Sequence, residues 1–259
     1  MLSNVCIELQ GNSGPISRSV PIHRTQGPKR AVYVHLKFAM EWTLAFVLAV
    51  LTAPLVALLA IAVKLTSPGP AFYTQTRLGR FGRKYRIIKL RTMRHNCEAN
   101  TGPVWSLPGD TRITGLGRLL RDTHLDELPQ LLNVLRGEMS LVGPRPERPE
   151  ITAKIERDIP NFRDRLLVRP GVTGLAQMRL PADTDLEGVR KKLAHDLYYV
   201  REVSFMLDFR IAFSTFCYFL GAAANALCKA SVKSHGMAVE RKLNAECDLN
   251  TEMYEVGAA

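Results

Sequence analysis

Acidic residues are what this chain is short of. Its 259 residues hold 24 Asp and Glu against 35 Lys and Arg, a net charge of +11 with histidine neutral. The shortage is local. Arg77 to Arg94 carries eight basic residues and no acid, and Arg18 to Lys37 carries five basic residues and no acid. Trp42 to Val63, 22 residues, lacks charge of either sign. Cysteine is sparse as well: five, odd in number, scattered, with no C-x-x-C pair. That speaks against a disulfide framework or a structural zinc site and fits a reducing compartment. A secretory signal is not expected, because the apolar block starts about forty residues in and no small-residue cleavage pattern follows it. There is no G-x-x-x-x-G-K-[S/T] loop, G-x-S-x-G elbow or H-E-x-x-H helix. Nor is there a zinc module, helix-turn-helix or RNA-binding aromatic motif, so nucleic acid is not expected as a partner. With 46% hydrophobic and 23% charged residues, the chain is neither disordered nor collagen-like.

The uncharged block is long enough to cross a bilayer, for which about 20 residues suffice. Pro54 interrupts it near its middle. Proline removes an N–H and clashes with the preceding turn, so it bends or breaks a helix. Composition is compatible with a kinked span and with a helix that enters and leaves by one face. The flanking charges lean toward re-entry, since Lys37 precedes the block, Lys64 closes it and both sides continue basic. The expected organisation is a flexible basic tail over 1–36, a membrane helix over 37–66, a catalytic domain over 67–230 and a C-terminal tail over 231–259.

After the block, Ala71–Gln75 and Tyr85–Leu90 have strand character, with Gly79 and Gly82 marking a turn between them. A basic β-hairpin is expected, either a solvated face or a surface for phosphates and anionic lipid headgroups. The spacing of Leu125, Leu128, Leu132 and Leu135 predicts a helix capped by Thr123 and stopped at Gly137. Leu141–Pro146 and Val168–Gly174 read as turn-rich loops, each carrying one arginine. Thr184 with Glu187 opens a helix running to about Val203, with Leu186, Val189, Leu193, Leu197 and Val200 on one face. Ile211–Cys228, again uncharged, reads as a surface-lying or buried helix.

Asp126 and Glu127 are adjacent in the first turn of the predicted Thr123 helix, where partial positive charge favours ionised carboxylates and phosphate alike. Acids there commonly do no more than complement the helix dipole. The surrounding Arg118, Arg121, Arg145, Lys89 and Arg91 point further, to phosphoryl transfer at a membrane surface. An ionised carboxylate can attack phosphorus, provided Mg²⁺ offsets the charge of the two reactants. His124, beside the pair, reads as structural or incidental.

Several separated motifs then occur in one order: Lys89–Met93, Leu125–Leu131, Asn133–Ser140, Val142–Pro146, Arg169–Gly174 and Asp196–Tyr199. Together they resemble the bacterial sugar transferase family, the monotopic polyprenyl-phosphate hexose-1-phosphate transferases, over about Lys37 to Leu220. The resemblance implies an α+β, mainly helical, monotopic protein with a re-entrant helix broken at Pro54, a basic hairpin and interfacial amphipathic helices. It implies transfer of a sugar-1-phosphate from a nucleoside diphosphate sugar, usually a UDP-sugar, to undecaprenyl phosphate at the cytoplasmic face of the bacterial inner membrane. Asp126 would be the nucleophile and a Mg²⁺ ligand, and Glu127 its partner in metal or proton handling. Lys89, Arg91, Arg121, Arg145 and Arg169 would bind phosphate. Two departures stand out. The family's Ser-Pro break is Ala53-Pro54 here, and its opening Lys-Arg-x-x-Asp is Lys37-Phe38-Ala39-Met40-Glu41. A catalytically silent scaffold of a polysaccharide assembly complex is the competing reading. No residue pattern in the chain encodes the transferred sugar or the oligomeric state, a homo-oligomer included.

Overall fold

A computed structural model of the chain describes residues 31–97, 109–180 and 186–221. The two expected tails, Thr184 and the end of the Ile211–Cys228 stretch lie outside those residues, apart from 31–36.

Helix α1 runs Ala31–Thr66 without interruption. Residues 31–36 of the expected tail are therefore its first turns. The helix continues through Pro54, as helices can when a bend absorbs the missing hydrogen bond. Its apolar flank is largely unpacked: only 6% of its most hydrophobic window is buried. The body of the protein holds α1 at two places. Ala45, Leu48 and Ala49 pack with Tyr85, Ile87, Leu131, Val134 and Met139. Leu59, Ala60 and Val63 pack with Leu90 and Leu120. Between them Val50, Leu51, Leu55 and Leu58 are exposed.

Strands β1 (Phe72–Leu78) and β2 (Lys84–Leu90) form the expected antiparallel hairpin, with Phe72 opposite Leu90 and Leu78 opposite Lys84. Helix α2 (Gly115–Asp122) follows, with Thr114 as its cap: the Thr114 hydroxyl accepts from the Gly117 N–H at 2.9 Å. Thr123 thus closes a helix rather than opening one, and its hydroxyl donates to the Leu119 carbonyl. The chain reverses through His124 in the left-handed region (φ 53°). It then winds a 3₁₀ segment, Leu125–Gln130, before the five-residue α3, Leu131–Leu135. The single helix expected from Thr123 fails because of Pro129. In that helix Pro129 would fall in the interior, where it lacks the N–H that should reach Leu125. The buried face shifts accordingly to Leu131 and Val134, and Leu132 is exposed.

The two turn-rich loops meet. Ser140–Val142 (β3) pairs in parallel with Gly171–Thr173 (β4), so each loop contributes a short strand that the proline content had argued against. Glycine makes this approach feasible. A Cβ on Gly171 would lie 2.1 Å from the Gly143 nitrogen, and one on Gly174 2.1 Å from the Gly143 oxygen. Helices α4 (Pro149–Asp158), α5 (Leu175–Arg179), α6 (Leu186–Glu202) and α7 (Phe205–Leu220) complete the fold. In α6 the expected Val189, Leu193 and Val200 are buried and Leu197 packs beside them, while Leu186, in the first turn, is exposed. Helix α7 lies on the surface with one face inward. Leu207 and Ile211 enter the core, while Phe205, Phe209, Phe213 and Phe216 are exposed, the first three stacked in a ladder.

A polar knot fastens α1 to this body. The Lys37 ammonium donates to Glu41 at 2.5 Å and to Asp208 at 2.9 Å. Tyr33 and Tyr199 also donate to Asp208, each at 2.6 Å. Glu41 accepts from the Ser140 hydroxyl and from the Val142 N–H of β3. The altered Lys37-x-x-x-Glu41 motif therefore builds a working anchor, the longer Glu reaching β3 directly. Removing one partner of a buried charge cluster costs about 3–5 kcal/mol. Asp208→Ala, which strands Lys37 and two tyrosines, should lower the thermal unfolding midpoint in detergent. Gly115→Ala, where an added Cβ meets open space, should leave it in place.

Candidate active site

A cavity of about 750 Å³ opens between the Lys89 end of the hairpin, the His124–Glu127 corner and the Arg145 loop. Asp126 sits in its wall, only 6% exposed. Glu127 beside it accepts from the Lys89 ammonium at 2.6 Å and from the Arg145 guanidinium at 3.0 Å. Arg121 reaches the same cavity from α2, with its Nε–H donating to the Thr92 hydroxyl at 2.8 Å. Three elements distant in sequence thus converge on one acid pair.

The two carboxylates differ in character. Burial works to raise Glu127, but the adjoining Arg145 and Lys89 cations outweigh it and hold the group well below the usual carboxylate range. Glu127 is permanently ionised and already committed to two cations, which makes it a fixed anchor for Lys89 and Arg145 and a poor proton carrier. Asp126 moves the other way. Burial raises its pKa, Lys89 opposes that, and the like charge of Glu127 adds to it. Lys89 is lowered by burial, with Glu127 opposing.

Each arm has its own support. Asn133, fully buried, accepts from the Ile88 N–H at 3.1 Å and donates to the Arg86 carbonyl at 2.8 Å and to Glu138 at 2.6 Å. It fixes β2, and with it Lys89, against α3. Arg165 forms a 2.6 Å ion pair with Asp196 and donates to the Arg145 carbonyl at 2.8 Å. Burial pushes Asp196 up to about 6, against the pull of Arg165.

Five of the seven predicted site residues come together: Asp126, Glu127, Lys89, Arg121 and Arg145. Arg91 and Arg169 do other work. Arg91 lines the cavity, but its guanidinium donates to the Ser67 and Pro68 carbonyls at 2.6 and 2.9 Å, clamping the end of α1. Arg169 is outside the cavity; its Nε–H donates to the Gly137 carbonyl at 3.0 Å, and the guanidinium stacks on Phe38. His124 is more than incidental, since its left-handed backbone turns the chain into the acid pair and its ring lines the cavity. Thr92, Asn133 and Asp208 were not singled out beforehand. Asp208 had a visible signal, as the one acid in the mainly apolar and aromatic α7. Among the described residues no three acids, histidines or cysteines gather to hold a cation. Were Mg²⁺ bound here, Asp126 would supply one carboxylate and substrate phosphates and water the other ligands, a mode common for this ion.

A carboxylate pair buried among cations in a large cavity, beside a helix long and apolar enough to cross a membrane, is a setting suited to anionic ligands. Residues 32–222 match the bacterial sugar transferase family, and the chain belongs to it. One relative is the UDP-glucose:undecaprenyl-phosphate glucose-1-phosphate transferase of Caulobacter vibrioides, 43% identical over 205 residues, covering 78% of this chain and 76% of that protein. Another is the UDP-N-acetylgalactosamine-undecaprenyl-phosphate N-acetylgalactosaminephosphotransferase of Aeromonas hydrophila, 40% identical over 184 residues. A third, the UDP-glucose:undecaprenyl-phosphate glucose-1-phosphate transferase of Escherichia coli K12, is 40% identical over 199 residues. The chain covers 71% of its own length against the Aeromonas protein and 76% against the E. coli protein, but only 43% and 42% of theirs.

The opposed carboxylates give a direct check. Lys89→Met removes the main charge that opposes burial at Asp126, so the Asp126 titration midpoint, followed by carboxyl ¹³C NMR, should rise. Glu127→Gln removes a like charge, and the same midpoint should fall.

Proposed function

We propose that this chain transfers a sugar-1-phosphate from a nucleoside diphosphate sugar, a UDP-sugar by the names of its relatives, to undecaprenyl phosphate. The product, an undecaprenyl-diphosphate sugar, begins assembly of an exopolysaccharide or related glycan. The observation that carries this is Asp126: a buried carboxylate held at a cation-lined cavity, next to an acid whose own charge is already matched. An Asp126 oxygen attacks the sugar-bearing phosphorus, the bond from that phosphorus to the bridging oxygen breaks, and the nucleoside monophosphate leaves with the bonding pair. A phosphate oxygen of the lipid acceptor then attacks the same phosphorus and the Asp126 carboxylate is released. Attack requires the ionised form, which Lys89 and Arg121 favour. Lys89, Arg121 and Arg145 bind and orient the phosphates, with Arg145 able to do so bidentately. When bound, Mg²⁺ would neutralise charge on the diphosphate, with Asp126 as its protein ligand.

A re-entrant α1 accords with the packing. The catalytic body touches α1 on both sides of Pro54, at Ala45–Ala49 and at Leu59–Val63, and leaves the stretch between exposed. A straight span would drag this polar body through the hydrocarbon, whereas a bend at Pro54 returns both ends to one leaflet. Basic sequence at both ends favours the cytoplasmic leaflet. The exposed phenylalanine ladder of α7 supplies a second contact with that leaflet.

The test is release of nucleoside monophosphate from a panel of UDP-sugars by the purified protein with undecaprenyl phosphate and Mg²⁺. At least one sugar should turn over, and Asp126→Asn should reduce turnover by on the order of a thousandfold or more. Retained turnover in that variant would remove Asp126 as nucleophile. Silence across the panel would favour the scaffold reading.

A further inference from the structure

The charge excess of the hairpin does not all face the Asp126 cavity. A second concavity, about 370 Å³, lies at the hairpin's turn and is lined by Arg80, Arg83, Lys84, Arg136 and Arg169. The run from Lys84 to Lys89 separates the two by about 17 Å of extended chain. The acid in this second concavity, Glu138, already accepts from Asn133, so five cations face one engaged carboxylate.

Arg80 and Arg169 are built alike. Each donates its Nε–H to a backbone carbonyl, Arg80 to Leu167 at 3.1 Å and Arg169 to Gly137 at 3.0 Å. Each guanidinium also lies over a phenylalanine ring, Phe81 at 4.5 Å and Phe38 at 4.3 Å. A guanidinium fixed by one carbonyl and one ring presents its two terminal nitrogens with little entropy left to lose, the geometry that suits a phosphate. Neither arginine has a carboxylate partner among the described residues. Burial, and after it the proximity of Arg80, lowers Arg169, with Glu41 opposing.

Two further observations choose the source of that phosphate. Phe38 lies four residues before Trp42, the first residue of the uncharged block, so about 6 Å along the helix. Trp42 is exposed along its ring and donates its indole N–H to the Leu135 carbonyl at 3.0 Å, as tryptophans do at a membrane interface. The concavity is therefore at headgroup level, just outside the apolar block. Phe81, at the turn, is 64% exposed and left-handed at φ 57°, a costly conformation for a bulky residue. It sets an apolar ring outward at the rim of the basic concavity, which a free anion in water would not use.

We propose that this concavity is a phospholipid site, in which Arg80 and Arg169 grip the phosphate of an anionic headgroup, Arg83, Lys84 and Arg136 surround it, and Phe81 touches the acyl region. It is separate from the Asp126 cavity and does not rest on the transferase reading. The experiment is native mass spectrometry of the full chain in neutral detergent, titrated with phosphatidylglycerol, phosphatidylcholine or inorganic phosphate. The wild-type protein should retain phosphatidylglycerol saturably and at least about tenfold better than phosphatidylcholine. Arg80→Gln/Arg169→Gln should lose that preference. So should the exposed triple variant Arg83→Gln/Lys84→Gln/Arg136→Gln, which leaves the core untouched. Undiminished retention in both variants would overturn the site. Competition by inorganic phosphate as strong as by the lipid would overturn its assignment to a lipid.

Discussion

An apolar helix gains almost nothing by exchanging lipid for protein along its flank, because hydrocarbon and leucine are equivalent surroundings. Whatever fastens α1 to the catalytic body must therefore be polar or closely fitted. Both devices are present. Lys37, Glu41 and Tyr33 tie its start to α7 and β3 through Asp208, Ser140 and the Val142 N–H. Arg91 ties its end to the hairpin by gripping the Ser67 and Pro68 carbonyls. Ala45 and Ala49 on one side of Pro54, and Ala60 on the other, let the body come close where Leu48, Leu59 and Val63 also pack. The catalytic cavity is assembled from elements that these ties hold in register: the hairpin through Arg91, the Arg145 loop through β3.

Within the cavity the same logic runs one layer deeper. Asp196 holds Arg165, Arg165 holds the backbone at Arg145, Arg145 holds Glu127, and Glu127 holds Lys89. Asn133 fixes the strand from which Lys89 projects. The chain of supports ends next to Asp126. Glu127 is the better-stabilised anion of the pair, and Asp126 is the one that burial leaves energetically exposed. A single dipeptide thus holds one carboxylate committed to two cations and one that burial raises.

Much of this was legible in the sequence. Gly79 and Gly82 between two strand-like runs announced the hairpin, and Val189, Leu193 and Val200 announced α6. The acid pair and three of its five basic companions, Lys89, Arg121 and Arg145, could be named. What was missed has physical causes. Thr114 and Thr123 offer the same capping hydroxyl, and only Pro129, too deep for a helix starting at Thr123, decides between them. β3 and β4 are three residues each, and their pairing depends on backbone contact at Gly143, Gly171 and Gly174 that no periodicity encodes. Arg91 and Arg169 are arginines like the others in sequence; their carbonyl partners, 24 and 32 residues away in the chain, exist only in the fold. The basic charge of the hairpin also divides between two concavities, which a count of eight cations in one run cannot reveal.

The glycine contacts between the two loops have a mechanical consequence. With Gly143, Gly171 and Gly174 backbone to backbone, the segment bearing Arg145 and the segment bearing Arg169 have no slack between them and must translate as one piece. Neither can swing as a gate while the other stays. A methyl group added at any of the three positions would wedge the two segments apart, so the spacing of the two arginines is set by three missing side chains.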